Sequence, residues 1–298
     1  LELARSENKA IIAKLITKGV SFGRLKAKPD GLVDLSRVEG VDDDLVIRPF
    51  GQKGVMTSLR QFTINAMNAH HGMQASERFG RRWTASADFD GDRKHDELRG
   101  ADISALVAWQ ATRAPPMQDF ADNEEWKALA AAGRNTFNSI GCGTCHIPEL
   151  PLKSLNFADP GPADAAGTLS RRHVQEPAIY DLALLEWAKA LPRNDRGEPL
   201  VPLFGDLKRH RMTDNQVDGF GNELLAQRFV DRTVFATAEL WGVGSTAPYG
   251  HRNDMTTLDE VIRAHSGEAR ESRDAYVEAE EQSRRSIIAF LRSLRIAK

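Results

Sequence analysis

Apolar residues recur at helical spacing in several stretches of the chain. In NEEWKALAAAGRNTFNSI (123–140), Trp126, Leu129, Ala130, Gly133 and Phe137 fall on one face, behind Asn123 as an N-cap with acids in the first turn. EQSRRSIIAFLRSL (281–294) is a basic amphipathic segment with Ile287, Phe290, Leu291 and Leu294 facing inward. TTLDEVIRAHSG (256–267) opens with a capping box, Thr257 as N-cap and Glu260 at the third helical position, and stops at Gly267. Strand-like alternation is scarce and short. The pattern predicts an all-α protein with long loops.

Prolines punctuate the stretch between 147 and 178, which reads as one loop, and RAPPMQD (113–119) is a second break. That break predicts two helical domains, 1–119 and 120–298. At 298 residues the chain is long enough for both. No apolar run is long enough to span a bilayer. The net charge of −2 argues against nucleic acid as the main partner. The chain starts at Leu1 rather than Met and shows no leader, so its start is expected to be processed or trimmed.

The chain's two cysteines lie together, in GCGTCHIPEL (141–150). Three chemistries compete for Cys142, Cys145 and His146. Structural zinc wants four ligands, usually two separated pairs, and there is no second cysteine pair. A redox dithiol normally follows a strand, whereas a helix is predicted here before Cys142. Covalent haem uses each sulfur for a thioether about one helical turn from the other, and the adjacent histidine as axial ligand. The spacing favours haem c. Because this attachment belongs to an export route, a periplasmic or otherwise exported protein is expected.

Two segments resemble each other. PFGQKGVMTSL (49–59) and PYGHRNDMTTL (248–258) share Pro, Gly, Met, Thr and Leu at matched positions. Tyr249 stands opposite Phe50, His251 opposite Gln52 and Arg252 opposite Lys53. Each segment runs into an amphipathic helix that ends near histidine: His70 and His71 in the first copy, His265 in the second. Such self-similarity predicts a duplication. If both halves are cytochrome c-like modules, the first lacks its haem motif, which would lie upstream of Leu1. The first module is therefore expected to be incomplete at its N-terminus.

These motifs, with FGDLKRHRM (204–212), ELWGVGSTAPYGHRNDMTTLDEVIRAHSGEA (239–269) and IIAFLRSL (287–294), resemble the bacterial di-haem cytochrome c peroxidase superfamily. The similarity is greatest to its di-haem oxidoreductase branch, whose members also carry the name thiol oxidoreductase. The resemblance implies two haem c domains packed face to face, one haem for electron transfer and one for reaction. It implies an exported haem oxidoreductase of the peroxidase type, with a small cytochrome or cupredoxin as redox partner. The alternative is a pure electron-transfer cytochrome without bond chemistry.

The resemblance also places a distal ligand after the APYGH turn. Related peroxidases carry Met there; His265 matches, opposite the proximal His146. His251 is the rival ligand or a hydrogen-bond partner of a haem propionate. Arg252 is expected to pair with a propionate through its planar fork, and Tyr249 to line the cofactor in the same turn. One of His70 and His71, with His71 preferred, would bind the iron of a second, upstream haem. His/His ligation leaves no open iron position and a lower potential than Met ligation.

DFDGDRKHDE (88–97) adds a metal question. Asp88, Asp90 and Asp92 alternate as in the first half of a calcium loop, with Glu97 following early, and the rival reading is a solvated acidic turn. Trp109, Trp126, Trp187 and Trp241 are expected in the core, with an electron relay as their alternative role.

Overall fold

A computed structural model describes residues 1–115, 117–120, 123–164, 167–223 and 227–296. Pro116, inside the predicted break at 113–119, lies outside the described residues. With 37% helix and 16% strand in several small sheets, the chain is mixed α/β, which corrects the all-α expectation. The largest departure is a sheet near the N-terminus. Strand β1 (Ile11–Thr17) pairs antiparallel with β2 (Val20–Ala27), and β2 with β3 (Val33–Asp34). Thr17 faces Val20 across a two-residue turn in which Lys18 and Gly19 have φ of 54° and 82°, the backbone sense that a twisted hairpin requires. Only β2 carries a clear buried alternation, Val20 and Phe22, packed on Leu150. β1 is largely exposed, so its apolar signal is weak.

Among the described residues, six α-helices are of seven residues or longer: α1 (Leu59–His71), α2 (Gly100–Ala111), α3 (Glu124–Ser139), α4 (Leu258–Ala264), α5 (Arg270–Glu278) and α6 (Glu281–Ser293). The amphipathic stripes did form. Asn123 accepts from Trp126 N at 2.9 Å, and the α3 face meets α6 through Ala130, Phe137, Ile287, Phe290 and Leu291. Phe137 and Phe290 sit edge to face, 5.5 Å apart. Trp126 packs against this core and donates its Nε1 to Ala289 O at 3.0 Å. Trp109 and Trp241 are exposed, against the core expectation, and Trp187 is half-buried with its Nε1 on Thr112 O. No described helix is long and apolar enough to cross a membrane.

The α3–α6 crossing depends on Gly133, because a Cβ there would fall inside the Ser286 carbonyl. Alanine in a helix interior normally stabilises by about 1 kcal/mol relative to glycine. Here overpacking should reverse the sign: Gly133→Ala is expected to lose about 1–3 kcal/mol in chemical denaturation. An unchanged or raised midpoint would mean that the helices cross less closely.

The predicted repeat is visible in the backbone. Phe50 bridges Met56 and Tyr249 bridges Met255, each as an isolated antiparallel pair, around Gly51 and Gly250, both at φ 81°. Ser58 and Thr257 then cap α1 and α4 by accepting from the third helical N–H. The copies diverge beyond this. α1 runs to His71, whereas α4 stops at Ala264, leaving His265 as an extended C-cap at φ −63°, ψ 133°.

The stretch 147–178 is not wholly a loop. β4 (Asn156–Asp159) pairs with β5 (Ala178–Asp181), and Asp159 reaches α1. Further on, β6 (Arg209–Arg211) pairs with β7 (Val234–Ala236), setting His210 opposite Phe235.

Candidate functional site

The CxxCH segment forms one tight turn. Gly141, at φ 93°, leads into a 3-10 turn over Cys142–Thr144, and His146 N donates back to Cys142 O at 3.0 Å. The two thiols are free and face a cavity of about 540 Å³. Burial pushes the Cys142 thiol up to about 11, so it is held as a neutral thiol.

His146 and His265 both line this cavity and are half-buried, with ring centroids 6.4 Å apart and planes at 55°. His146 Nδ1 donates to Phe204 O at 3.0 Å, and His265 Nδ1 donates to Val261 O at 2.7 Å. A carbonyl can only accept, so each Nδ1 carries the ring proton. Burial, then the neighbouring His265, pulls His146 down to about 4, and burial lowers His265 as well. Two neutral imidazoles thus keep Nε2 as the bare, metal-ready nitrogen. A metal bound to one nitrogen of each ring at about 2.0–2.1 Å would set the centroids about 6 Å apart. The observed separation meets that requirement.

The His146 side of the cavity is built by a strap that pairs with the turn after the cysteines. Phe204 N donates to Pro148 O and Gly205 N to Ile147 O. Phe204 sits at φ 52°, an uncommon backbone for a bulky residue, with its carbonyl on His146. Two residues on, buried Asp206 accepts from Lys208 N at 2.9 Å and from His210 Nε2 at 2.8 Å. His210 gives its other nitrogen to Glu268 at 2.8 Å. Burial alone would lower this imidazole, but the partners Asp206, Cys145 and Glu268 together raise it to about 11, so it is a cation at neutral pH.

The remaining predicted residues divide. Tyr249 and His251 line the cavity. Tyr249 ties its hydroxyl to Val243 O at 2.9 Å, and both His251 nitrogens are buried without a hydrogen bond. The His251 ring lies 4.9 Å from Phe235, against which the first repeat's buried Lys53 also rests, its Nζ 3.4 Å from the ring centre. Arg252 does not line the cavity; it is exposed and donates to Asn222 O at 2.7 Å. The arginine that does line it is Arg273, with a side chain 10% exposed and Nε 2.7 Å from Asp274. His70 and His71 are exposed at the end of α1 and away from this cavity.

Asp88, Asp90 and Asp92 bring carboxylate oxygens within 4.8 Å of one another, as calcium would need. Much of their capacity is spent on their own loop: Asp88 accepts from Gly91 N and Arg93 N, and Asp92 accepts from Lys94 N. Glu97 is not in the group and accepts from Gln74 N at 2.9 Å.

Sequence reasoning missed Asp206, His210 and Glu268 as site residues, although the motifs containing them were visible. Cys145, Asp206 and His210 also come within 4.8 Å of one another, a donor set a divalent metal can use. That set offers three ligands, and its imidazole is already hydrogen-bonded by both nitrogens.

Residues 195–294, about a third of the chain, match the family model described as "Di-haem oxidoreductase, putative peroxidase". This supports the di-haem oxidoreductase superfamily and, with it, a haem cofactor and peroxidase-like oxidoreductase chemistry. The matched segment contains His210, His251 and His265, while the cysteine motif precedes it. No curated protein matches the chain.

Proposed function

We propose that the chain is an exported c-type haem oxidoreductase. It would hold one haem through thioethers at Cys142 and Cys145, with His146 and His265 as axial ligands. The observation that carries this reading is the pair of half-buried, neutral imidazoles 6.4 Å apart, each with Nδ1 committed to a carbonyl, over a cavity lined by both thiols. When bound, the haem supplies a one-electron iron couple.

The protein's own part is positional. The Phe204 and Val261 carbonyls fix the two rings and their tautomers. Phe137, Phe220, Leu258 and Leu291 keep the cavity wall apolar. Held by His146 and His265 together, the haem would have no free coordination position and would serve electron transfer, to or from a small cytochrome or cupredoxin. That occupancy favours the carrier reading for this site. Peroxide chemistry would then belong to a second haem centre.

The test is mass spectrometry on protein matured in a host that ligates haem c. The expected result is a haem mass that survives acid-acetone extraction and disappears in the Cys142→Ser/Cys145→Ser double variant. An unmodified mass from that host, or a stoichiometric zinc in its place, would overturn the proposal.

A further inference from the structure

We propose that His210 is a positioning residue that holds the two iron-binding imidazoles at their separation. It does so by bridging the segment behind His146 to the segment that follows His265. The proposal rests on the bis-histidine reading above. On one side His210 donates to Asp206, two residues after the Phe204 carbonyl that orients His146. On the other it donates to Glu268, three residues after His265. Glu268 also takes Arg211 N at 2.8 Å, so the carboxylate clasps β6 at two points.

The bridge links a proximal and a distal element that are otherwise far apart in sequence. His210 and Glu268 both line the cavity, and a ring nitrogen of His210 comes within 4.8 Å of the Cys145 sulfur. A charge-assisted hydrogen bond at each end gives the link direction as well as strength. Geometry of ligands set by their surroundings is the usual way a protein tunes a metal centre.

A second tie keeps the distal turn in place when the first is cut. Asp214 accepts from Ser266 Oγ, from Gly267 N at 2.9 Å and from Arg270 Nε at 2.8 Å. Loss of the His210 bridge should therefore loosen the His265 side rather than unfold it. Asp214 lies beyond β6, and these bonds tie it to the segment after His265.

The experiment uses haem-loaded protein and three variants: His210→Gln, Glu268→Gln and His265→Ala. Glu268 is half-exposed, so its amide variant cuts the distal tie with the least risk to folding. The readouts are the rate of cyanide binding to ferric haem, which requires His265 to leave, and the melting temperature. His210→Gln and Glu268→Gln are each expected to speed cyanide binding about tenfold, the effect of one lost hydrogen bond to a charged group. Both should remain low spin at rest. Cyanide rates within twofold of wild type in both variants, with or without a lower melting temperature, would assign the triad to fold stability alone and overturn the proposal. His265→Ala separates the two readings. If it leaves the wild-type cyanide rate unchanged, the axial assignment has failed. If it speeds binding while the other two do not, only the bridge has failed.

Discussion

His265→Ala is expected to convert the ferric, haem-loaded protein from low spin to predominantly high spin. The side chain lies 6.4 Å from His146 by ring centroids, and its Nδ1 is committed to Val261 O. Among the described residues, His265 is the one histidine whose ring contacts that of His146. Phe220, 5.4 Å from the His265 ring, is apolar, and it lies between His265 and His251 in the contact order of the rings. Removing the imidazole should leave iron five-coordinate or water-bound, admit cyanide and raise the potential. His265→Met should keep six-coordination with a higher potential than wild type. His251→Ala is the control, because His251 lines the same cavity. If His251→Ala shifts spin state and potential while His265→Ala changes neither, the ligand sits in the turn and the assignment of His265 is wrong.

The parts of this site that were legible in sequence are those whose cause is local. Cys142, Cys145 and His146 lie within five residues, and their convergence in one tight turn follows from that spacing. Asn123, Ser58 and Thr257 announce helix starts because the capping groups bond three residues ahead. The repeat was readable because identical turns need identical glycines: Gly51 and Gly250 share a φ of 81°. What was missed is held by long-range pairing. His210 is 58 residues from Glu268, and no local pattern marks such a partnership.

Arg252 shows the reverse error. It has the right chemistry in the right turn, yet the turn aims it at Asn222, and the cavity takes Arg273 from a different helix. The hairpin at 11–27 was overlooked for a third reason. Its one buried face is a single strand, and a two-residue Lys18–Gly19 turn is a weaker signal than a proline or an Asn-Gly pair. His265 was placed on the helix, but α4 ends one residue earlier. The C-cap conformation, not the helix period, sets where its imidazole points.

Arg60→Met is expected to cost about 3–5 kcal/mol, a large stability loss in the part of the chain before Cys142. The Arg60 side chain is fully buried between α1, α2 and the β4 strand. It makes a bidentate pair with Glu77 at 2.8 and 2.9 Å and holds both Asp159 oxygens at 2.8 and 2.9 Å. Ser104 Oγ and the Gly100 carbonyl take further donors. Every donor of the fork therefore has a partner, and the arginine is the joint between a helix pair and the stretch 147–178. Asp159 is 2% exposed and Glu77 8%, so removing the guanidinium leaves two carboxylates buried without a countercharge. The cost is mainly that stranded charge. Adding Glu77→Gln and Asp159→Asn to Arg60→Met should therefore recover part of the loss, because the amides need no cation. Chemical denaturation of the single and triple variants decides the matter. A single variant within about 1 kcal/mol of wild type, or a triple variant less stable than the single, would show that Arg60 acts by packing and that its charge is not what joins the two segments.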